Sequence, residues 1–386
     1  MKFLVAVTYY RPHVSGLTIY VERLARSLVE RGHPVTVLAA QYDPKLPRRE
    51  LLHGVDVIRV PVALRVSKGV IMPTIGWVAT QLVPKHDVVS LHLPQLDATG
   101  IGVRGRLWRK PVVVTYHSDL ILPPSPVNWL AQTVSDLGND VAAHLSDLIL
   151  AYTDDFAKHS RYLSKYLDKV KVIPPPVEMP IPAPEAVAAF RAQYHLDRGG
   201  PVIGMAGRLA AEKGVEYLLE ALPRIQAVFP GVRVLHAGPK EAIGESAYLK
   251  KLEQEIAPLG ERYTYVGTLN AEQMAVFFTC CDVHVLPSIN NTETFGLVQI
   301  EAALCGTPTV ASALPGVRVP TQLTGMGRTA PPRDAVALAD AIVDVLQHRE
   351  RYIRPRAPIA EMFSPAKTAE RYEAVFTELL KAKHKS

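Results

Sequence analysis

Residues 287–309 read PSINNTETFGLVQIEAALCGTPT, which places Glu293 and Glu301 eight residues apart with Thr-Phe-Gly directly after the first. The apolar run at 283–286 predicts a strand, and residues 297–304 predict a helix stopped by Gly306 and Pro308. Glu293 is then expected at the helix entrance, with Glu301 about two turns further on. At 3.6 residues per turn a spacing of eight covers roughly 800°, so both carboxylates would lie on one half of the helix. The N–H groups of Phe295, Gly296 and Leu297 would point out of the helix start, where the dipole favours an anion. Gly296 would let a phosphate or sugar approach the backbone closely, and a neighbouring carboxylate accepts hydrogen bonds from sugar hydroxyls. Taken alone, Glu293 reads better as a helix cap and Glu301 better as part of a solvated face than as functional residues.

Around this stretch, apolar strand-like runs alternate with helix-period segments, the pattern of doubly wound parallel sheets. Strands are expected near residues 2–8, 35–40, 55–60, 87–93, 111–116, 148–151 and 170–173. The pattern restarts at 201–206, 232–237, 263–267, 283–286 and 307–311. Between the halves, residues 174–184 hold six prolines and cannot continue a helix or a central strand. The expected organisation is a Rossmann-like domain at 1–173, a hinge at 174–184, a second Rossmann-like domain at 185–358 and a closing helical segment at 359–386. Ligands of open α/β sheets bind beyond the carboxyl ends of the strands, so two such domains facing a central cleft would hold two substrates on opposite walls. Residues 334–348 and 364–380 carry the spacing of amphipathic helices.

Arg208 follows the strand expected at 202–206, and Lys213 stands at the start of the next helix. A guanidinium offers a planar fork to phosphate and an ammonium a point charge, so together they would suit a phosphate-bearing ligand. Either cation alone reads as a surface residue near a loop.

Three ordered motifs carry a resemblance. YYRPHVSGLTIYVERLARSLVERGHPVTV at the N-terminus, GMAGRLAAEKGVEYLLEAL in the middle and the Glu-x7-Glu string at 293–301 together resemble family 4 of the retaining glycosyltransferases (glycosyl transferases group 1), enzymes of the GT-B fold. The family usually carries two glycines in its opening loop where this chain has Ser15-Gly16; one glycine still permits a positive φ and close backbone approach. The resemblance implies transfer of a sugar from a UDP- or GDP-linked donor to a hydroxyl on a glycan or lipid, by front-face displacement with retention. It implies that Arg208 and Lys213 stand in for a divalent metal, so that no metal or other cofactor is needed, and that Gly16 approaches the phosphates. His117, in TYHSD, corresponds to the active-site histidine near the donor sugar, and Gly267, Thr268 and Leu269 to the loop that meets the nucleobase. Glu293 would orient sugar hydroxyls, Glu301 would reach a ribose, and the last helix would cross back onto the N-terminal domain.

The rival readings are an epimerase, a sugar phosphorylase or a non-catalytic nucleotide-sugar sensor on the same fold. The glycines at 100, 102 and 105 match the dinucleotide fingerprint, but they do not join a strand directly to an amphipathic helix. A pI near 9.1 raises nucleic-acid binding, which no recognition motif accompanies. Residues 1–173 carry 21 Lys and Arg against 14 Asp and Glu, a balance of +7, while the remainder carries 22 against 23. That excess reads either as peripheral contact with an anionic membrane or as a solvated basic surface without a partner. The uncharged run at residues 69–84 is too short and too rich in proline and glycine to span a bilayer. Cys280, Cys281 and Cys305 show no metal-ligand spacing and read as small buried residues in a reducing compartment. The expected location is cytoplasmic, with the inner face of the membrane as the place of any lipid contact.

Overall fold

Strands buried on both faces read as continuous Val, Ile, Leu and Ala runs, and such runs form the centres of two sheets in this computed structural model. It describes residues 1–66, 69–121, 126–197, 199–240 and 245–385. The chain divides into two units, residues 1–176 with 363–386, and residues 177–362.

The first unit runs β1 (Phe3–Ala6), α1 (Gly16–Glu30), β2 (Val35–Gln41), β3 (Arg49–Leu52), β4 (Val55–Pro61), β5 (Leu64–Val66), β6 (Gly69–Ile71), α2 (Ile75–Leu82), β7 (Val88–Leu93), α3 (Ala98–Leu107), β8 (Val112–Tyr116), α4 (Pro126–Leu145), β9 (Leu148–Ala151), α5 (Asp154–His159) and β10 (Val170–Val172). Among the described residues its sheet has eight strands in the order β10-β9-β8-β7-β1-β2-β4-β3. All pairings are parallel except β3 with β4. The order reverses between β1 and β7, where Phe3 lies between Val35 and Val88. On one face α2, α3, α4 and α5 enclose a core that includes Ala79, Ile101, Ala142 and Phe156.

The second unit runs α6 (Pro184–Gln193), β11 (Val202–Ala206), α7 (Val215–Val228), β12 (Arg233–Ala237), α8 (Ser246–Ile256), β13 (Tyr263–Gly267), α9 (Ala271–Thr279), β14 (Val283–Leu286), α10 (Leu297–Leu304), β15 (Thr309–Ser312), α11 (Val319–Thr324), β16 (Gly327–Ala330), α12 (Ala335–Gln347) and α13 (Arg356–Met362). Its sheet is parallel throughout, in the order β13-β12-β11-β14-β15-β16. The reversal here falls between β11 and β14.

The last helix, α14 (Pro365–Lys385), belongs to the first unit. It packs on α1 and β1: Phe376 meets Phe3 edge-on at 5.3 Å, and the Tyr372 hydroxyl bonds Tyr20 and Thr115, each at 2.7 Å.

The structure adds elements that the sequence reading lacked. β3, the β5–β6 hairpin and β16 were not expected, because each is short and lacks a continuous buried apolar run. The glycines at 100, 102 and 105 lie inside α3, where a β-carbon on Gly105 would sit 2.3 Å from Val112 Cγ2. Gly105 lets the helix lie close on the sheet, and none of the three sits in a strand-to-helix phosphate loop. Cys280 and Cys305 cap the ends of α9 and α10. Burial is the largest cause raising both thiols, to about 11 and about 12. Among the described residues no helix is long and apolar enough to cross a membrane.

Candidate active site

The carboxyl edge of the second sheet gathers the loops that follow β11, β12, β13 and β14, and the strand reversal opens a crevice between the first and last of these. Arg208 and Lys213 come from the loop after β11, and Glu293 from the loop after β14. Two features bring these loops together. Gly214 adopts φ 64°, and a β-carbon there would sit 2.2 Å from the Pro287 carbonyl oxygen. Alongside, the Ile289 amide donates to the Glu212 carbonyl at 3.0 Å. No side chain could replace Gly214 without parting the loops.

Lys213 Nζ consequently donates to Glu293 Oε2 at 2.5 Å, across 80 positions of sequence, and the two side chains are only 19% and 18% exposed. Arg208 Nη2 donates to Glu212 Oε1 at 2.6 Å, with the arginine more exposed. His284, on β14, is fully buried; burial is the main cause, and Lys213 the second, that lowers its pKa to about 3. The imidazole beside the pair is therefore neutral.

The helical relation expected between Glu293 and Glu301 does not hold. α10 begins only at Leu297, and Gly296 before it takes a left-handed conformation with φ 75°. Glu293 lies in the preceding turn, so helical periodicity does not connect it to Glu301, which is buried in α10 at 8% exposure rather than on a solvated face. A β-carbon on Gly296 would meet Leu286 Cδ2 at 2.4 Å and Gln299 Nε2 at 2.8 Å. The glycine is thus required by the chain's own packing, and open room for a ligand is not its reason. No side-chain hydrogen bond caps α10, which keeps the Leu297 end suited to an anion. Phe295 is buried, and its carbonyl accepts from Gln299 Nε2 at 2.8 Å.

Gly267 ends β13 with φ 84° and accepts from the Gly238 amide at 2.8 Å, while Thr268 is exposed and Leu269 half-buried. This loop is two strands from Arg208, about 10 Å at the usual strand spacing.

Gly16 and His117 belong to the first unit. Gly16 is the first residue of α1 and is absent from the positive-φ positions, so the positive φ that a glycine permits is not used there. Ser15 instead forms a capping box with Thr18. His117 follows β8 and is buried, with Nε2 2.8 Å from His92 Nδ1 and Nδ1 hydrogen-bonded to the Tyr152 hydroxyl. Burial, then the neighbouring His92, pushes its pKa well below 6.5, and burial brings His92 to about 3. Both rings are neutral near pH 7, so His117 is held as an oriented hydrogen-bonding ring and not as a protonated acid.

Sequence reasoning missed Glu212, His92, Tyr152 and Gln95. Gln95 lies two residues past the β7 end at the strand reversal; it is 5% exposed, and neither its amide oxygen nor its nitrogen has a protein partner. A buried amide left unpaired calls for a ligand or water. No local signal marks it, because its burial depends on the order of strands.

A family model described as glycosyl transferases group 1 matches residues 200–348, and one described as glycosyl transferase 4-like domain matches residues 15–176. A D-inositol 3-phosphate glycosyltransferase of Segniliparus rotundus is 29% identical, over 81% of this chain and 72% of its own length. A GDP-mannose-dependent alpha-(1-6)-phosphatidylinositol monomannoside mannosyltransferase of Mycolicibacterium smegmatis is 27% identical, over 90% of each. Among solved structures, Anabaena HepE in complex with UDP and glucose superposes with a TM-score of 0.76 at 20% identity, over 98% of this chain and all of that one. The sucrose-phosphate synthase of Thermosynechococcus elongatus gives 0.77 at 22% identity, over 99% of each. These likenesses place both units in the GT-B fold.

Proposed function

Because the chain belongs to the glycosyl transferases group 1, we propose that it moves a sugar from a UDP- or GDP-linked donor to an acceptor hydroxyl, with retention at the anomeric carbon and without a metal. The observation that carries this reading is the Lys213–Glu293 pair, placed beside Arg208 and the uncapped start of α10 at the strand reversal. Fixed cations offset the charge that grows on a departing diphosphate, and α10 adds backbone N–H groups to the same task. Glu293, aligned by Lys213, accepts hydrogen bonds from donor-sugar hydroxyls, and Glu301 serves the ribose. Gly267, Thr268 and Leu269 line the base end.

In this reading the second unit holds the donor and the first the acceptor, with residues 174–184 as the hinge. His117 and Gly16 serve the sugar and phosphates from the first unit, and Gln95 takes an acceptor hydroxyl. The relatives' names support a hydroxyl on a phosphorylated polyol, a glycan or a lipid. None of the relatives reported above favours an epimerase or phosphorylase. The basic excess of residues 1–173 supports peripheral work at the inner face of an anionic membrane.

The test is a thermal-shift screen against UDP, GDP, ADP and their sugar conjugates, with and without EDTA, followed by product analysis by NMR. Ligand at about 100 times its Kd adds about 2.7 kcal/mol of stability. Stabilisation by one nucleotide series, unaffected by EDTA, and a product of unchanged anomeric configuration are expected. No shift with any nucleotide would end the donor-site reading, and an inverted product the retaining one.

A further inference from the structure

Helix α4 is apolar on its outer side. Its buried positions hold Ser135, Asn139, Ala142 and Ala143, whereas its exposed positions hold Trp129, Leu130, Val134, Leu137 and Val141. Trp129 is 70% and Leu137 65% exposed. Positions 130, 134, 137 and 141 follow helical spacing and form a single stripe. The remaining exposed positions among the described side chains, Thr133 and His144, add no carboxylate and no Lys or Arg. Asp136 and Asp140 lie off the stripe and are held by Gln132 and by Lys165 with Tyr166.

The surface extends onto α3, which packs alongside through a 2.7 Å bond from Thr99 Oγ1 to the Gly138 carbonyl. Val103 and Leu107 are exposed there, and Trp108 stands at the helix end next to Arg109 and Lys110. Trp77, on α2 against the other side of α3, is exposed as well. All three tryptophans of the chain are therefore presented on helices that cover one face of the first sheet.

Chemistry decides what such a face meets. A bilayer surface accepts protruding uncharged apolar side chains, seats tryptophan at the depth of the head groups and attracts basic residues at the rim. This face offers each of these, in the half of the chain that carries a balance of +7. We propose that the α3–α4 face docks on the surface of an anionic lipid bilayer. The inference deepens the membrane part of the proposed function, and its test reads lipid binding without sugar transfer, so either can fail while the other stands.

The experiment is co-sedimentation of the full chain with vesicles of phosphatidylcholine alone and of equal parts phosphatidylcholine and phosphatidylglycerol. Binding to the mixed vesicles is expected, with a blue shift of tryptophan emission. The triple variant Leu130→Gln, Leu137→Gln, Val141→Gln should lower that partition at least ~10-fold by removing apolar area from the contact, while keeping the parent chain's thermal midpoint. A second variant, Arg109→Asn with Lys110→Gln, touches no buried group and should lower binding to mixed vesicles ~10-fold with little effect on neutral ones. Absence of binding to either vesicle, or unchanged binding by both variants, overturns the proposal. So does light scattering that shows a dimer dispersed by the triple variant, since a second copy would then own the face.

Discussion

The two carboxyl edges share a topology and differ in electrostatics. At the reversal in the second sheet, two cations and two carboxylates pair, Lys213 with Glu293 and Arg208 with Glu212. At the first sheet's edge a buried chain of neutral groups runs from Ser90 through His92 and His117 to Tyr152, with Gln95 unpaired beside the same reversal. One edge suits a diphosphate, whose charge needs fixed cations; the other suits hydroxyls, which need oriented neutral donors and acceptors.

The sharpest break of this contrast is Gly214→Ala. A methyl group 2.2 Å from the Pro287 carbonyl, on a left-handed backbone, forces the two loops apart; the expected cost is about 3 kcal/mol, read as a lower urea midpoint together with lost nucleotide binding. An unchanged midpoint would show that the loops part without strain. Lys213→Ala comes next, lowering turnover at least ~10-fold, or about 1.4 kcal/mol of transition-state stabilisation. Steady-state kinetics on the folded variant check it, and near-normal turnover would remove the pair from the mechanism.

These effects bear on how much was readable beforehand. β7, β8, β11 and β14 were legible because strands buried on both faces are written as unbroken apolar runs. α10 was legible in extent, yet Glu293 was misplaced: one left-handed residue, Gly296, detaches it from the helix, and periodicity cannot register a single backbone reversal. The Lys213–Glu293 contact spans 80 positions and arises only when two loops meet at the strand reversal. The helix α4 was not read from the sequence, because its buried side carries Ser135, Asn139, Ala142 and Ala143, small or polar residues that give no apolar period facing the core.

A smaller expected effect tests the first edge. His92 is held at about 3 and His117 well below 6.5 by burial, so between those values and 6.5 the folded state binds fewer protons than the unfolded chain. Holding the two rings neutral costs nothing above pH 6.5 and costs stability as pH falls; at pH 5.5 the cost at His92 is about 1.4 kcal/mol. Urea midpoints at pH 8 and 5.5 should fall accordingly, and His92→Phe should reduce the difference. If that variant keeps the full acid sensitivity, the loss arises elsewhere. Smallest is Glu212→Gln: its partner Arg208 is 41% exposed, so stability should move by less than about 1 kcal/mol, while affinity for the nucleotide that stabilises the parent chain, measured by calorimetry, should hold or rise. A large loss of stability would make that pair structural.

The return of α14 to α1 has a consequence for biosynthesis. Residues 177–362 are contiguous and can fold as they leave the ribosome, at about 5–20 residues per second. The first unit is made first and yet waits: the surface of β1 and α1 that buries Phe376 and Tyr372 stays open until the last helix is translated. A nascent chain thus carries an exposed apolar seam through most of its synthesis, and a premature stop before residue 363 would damage the part of the protein made earliest.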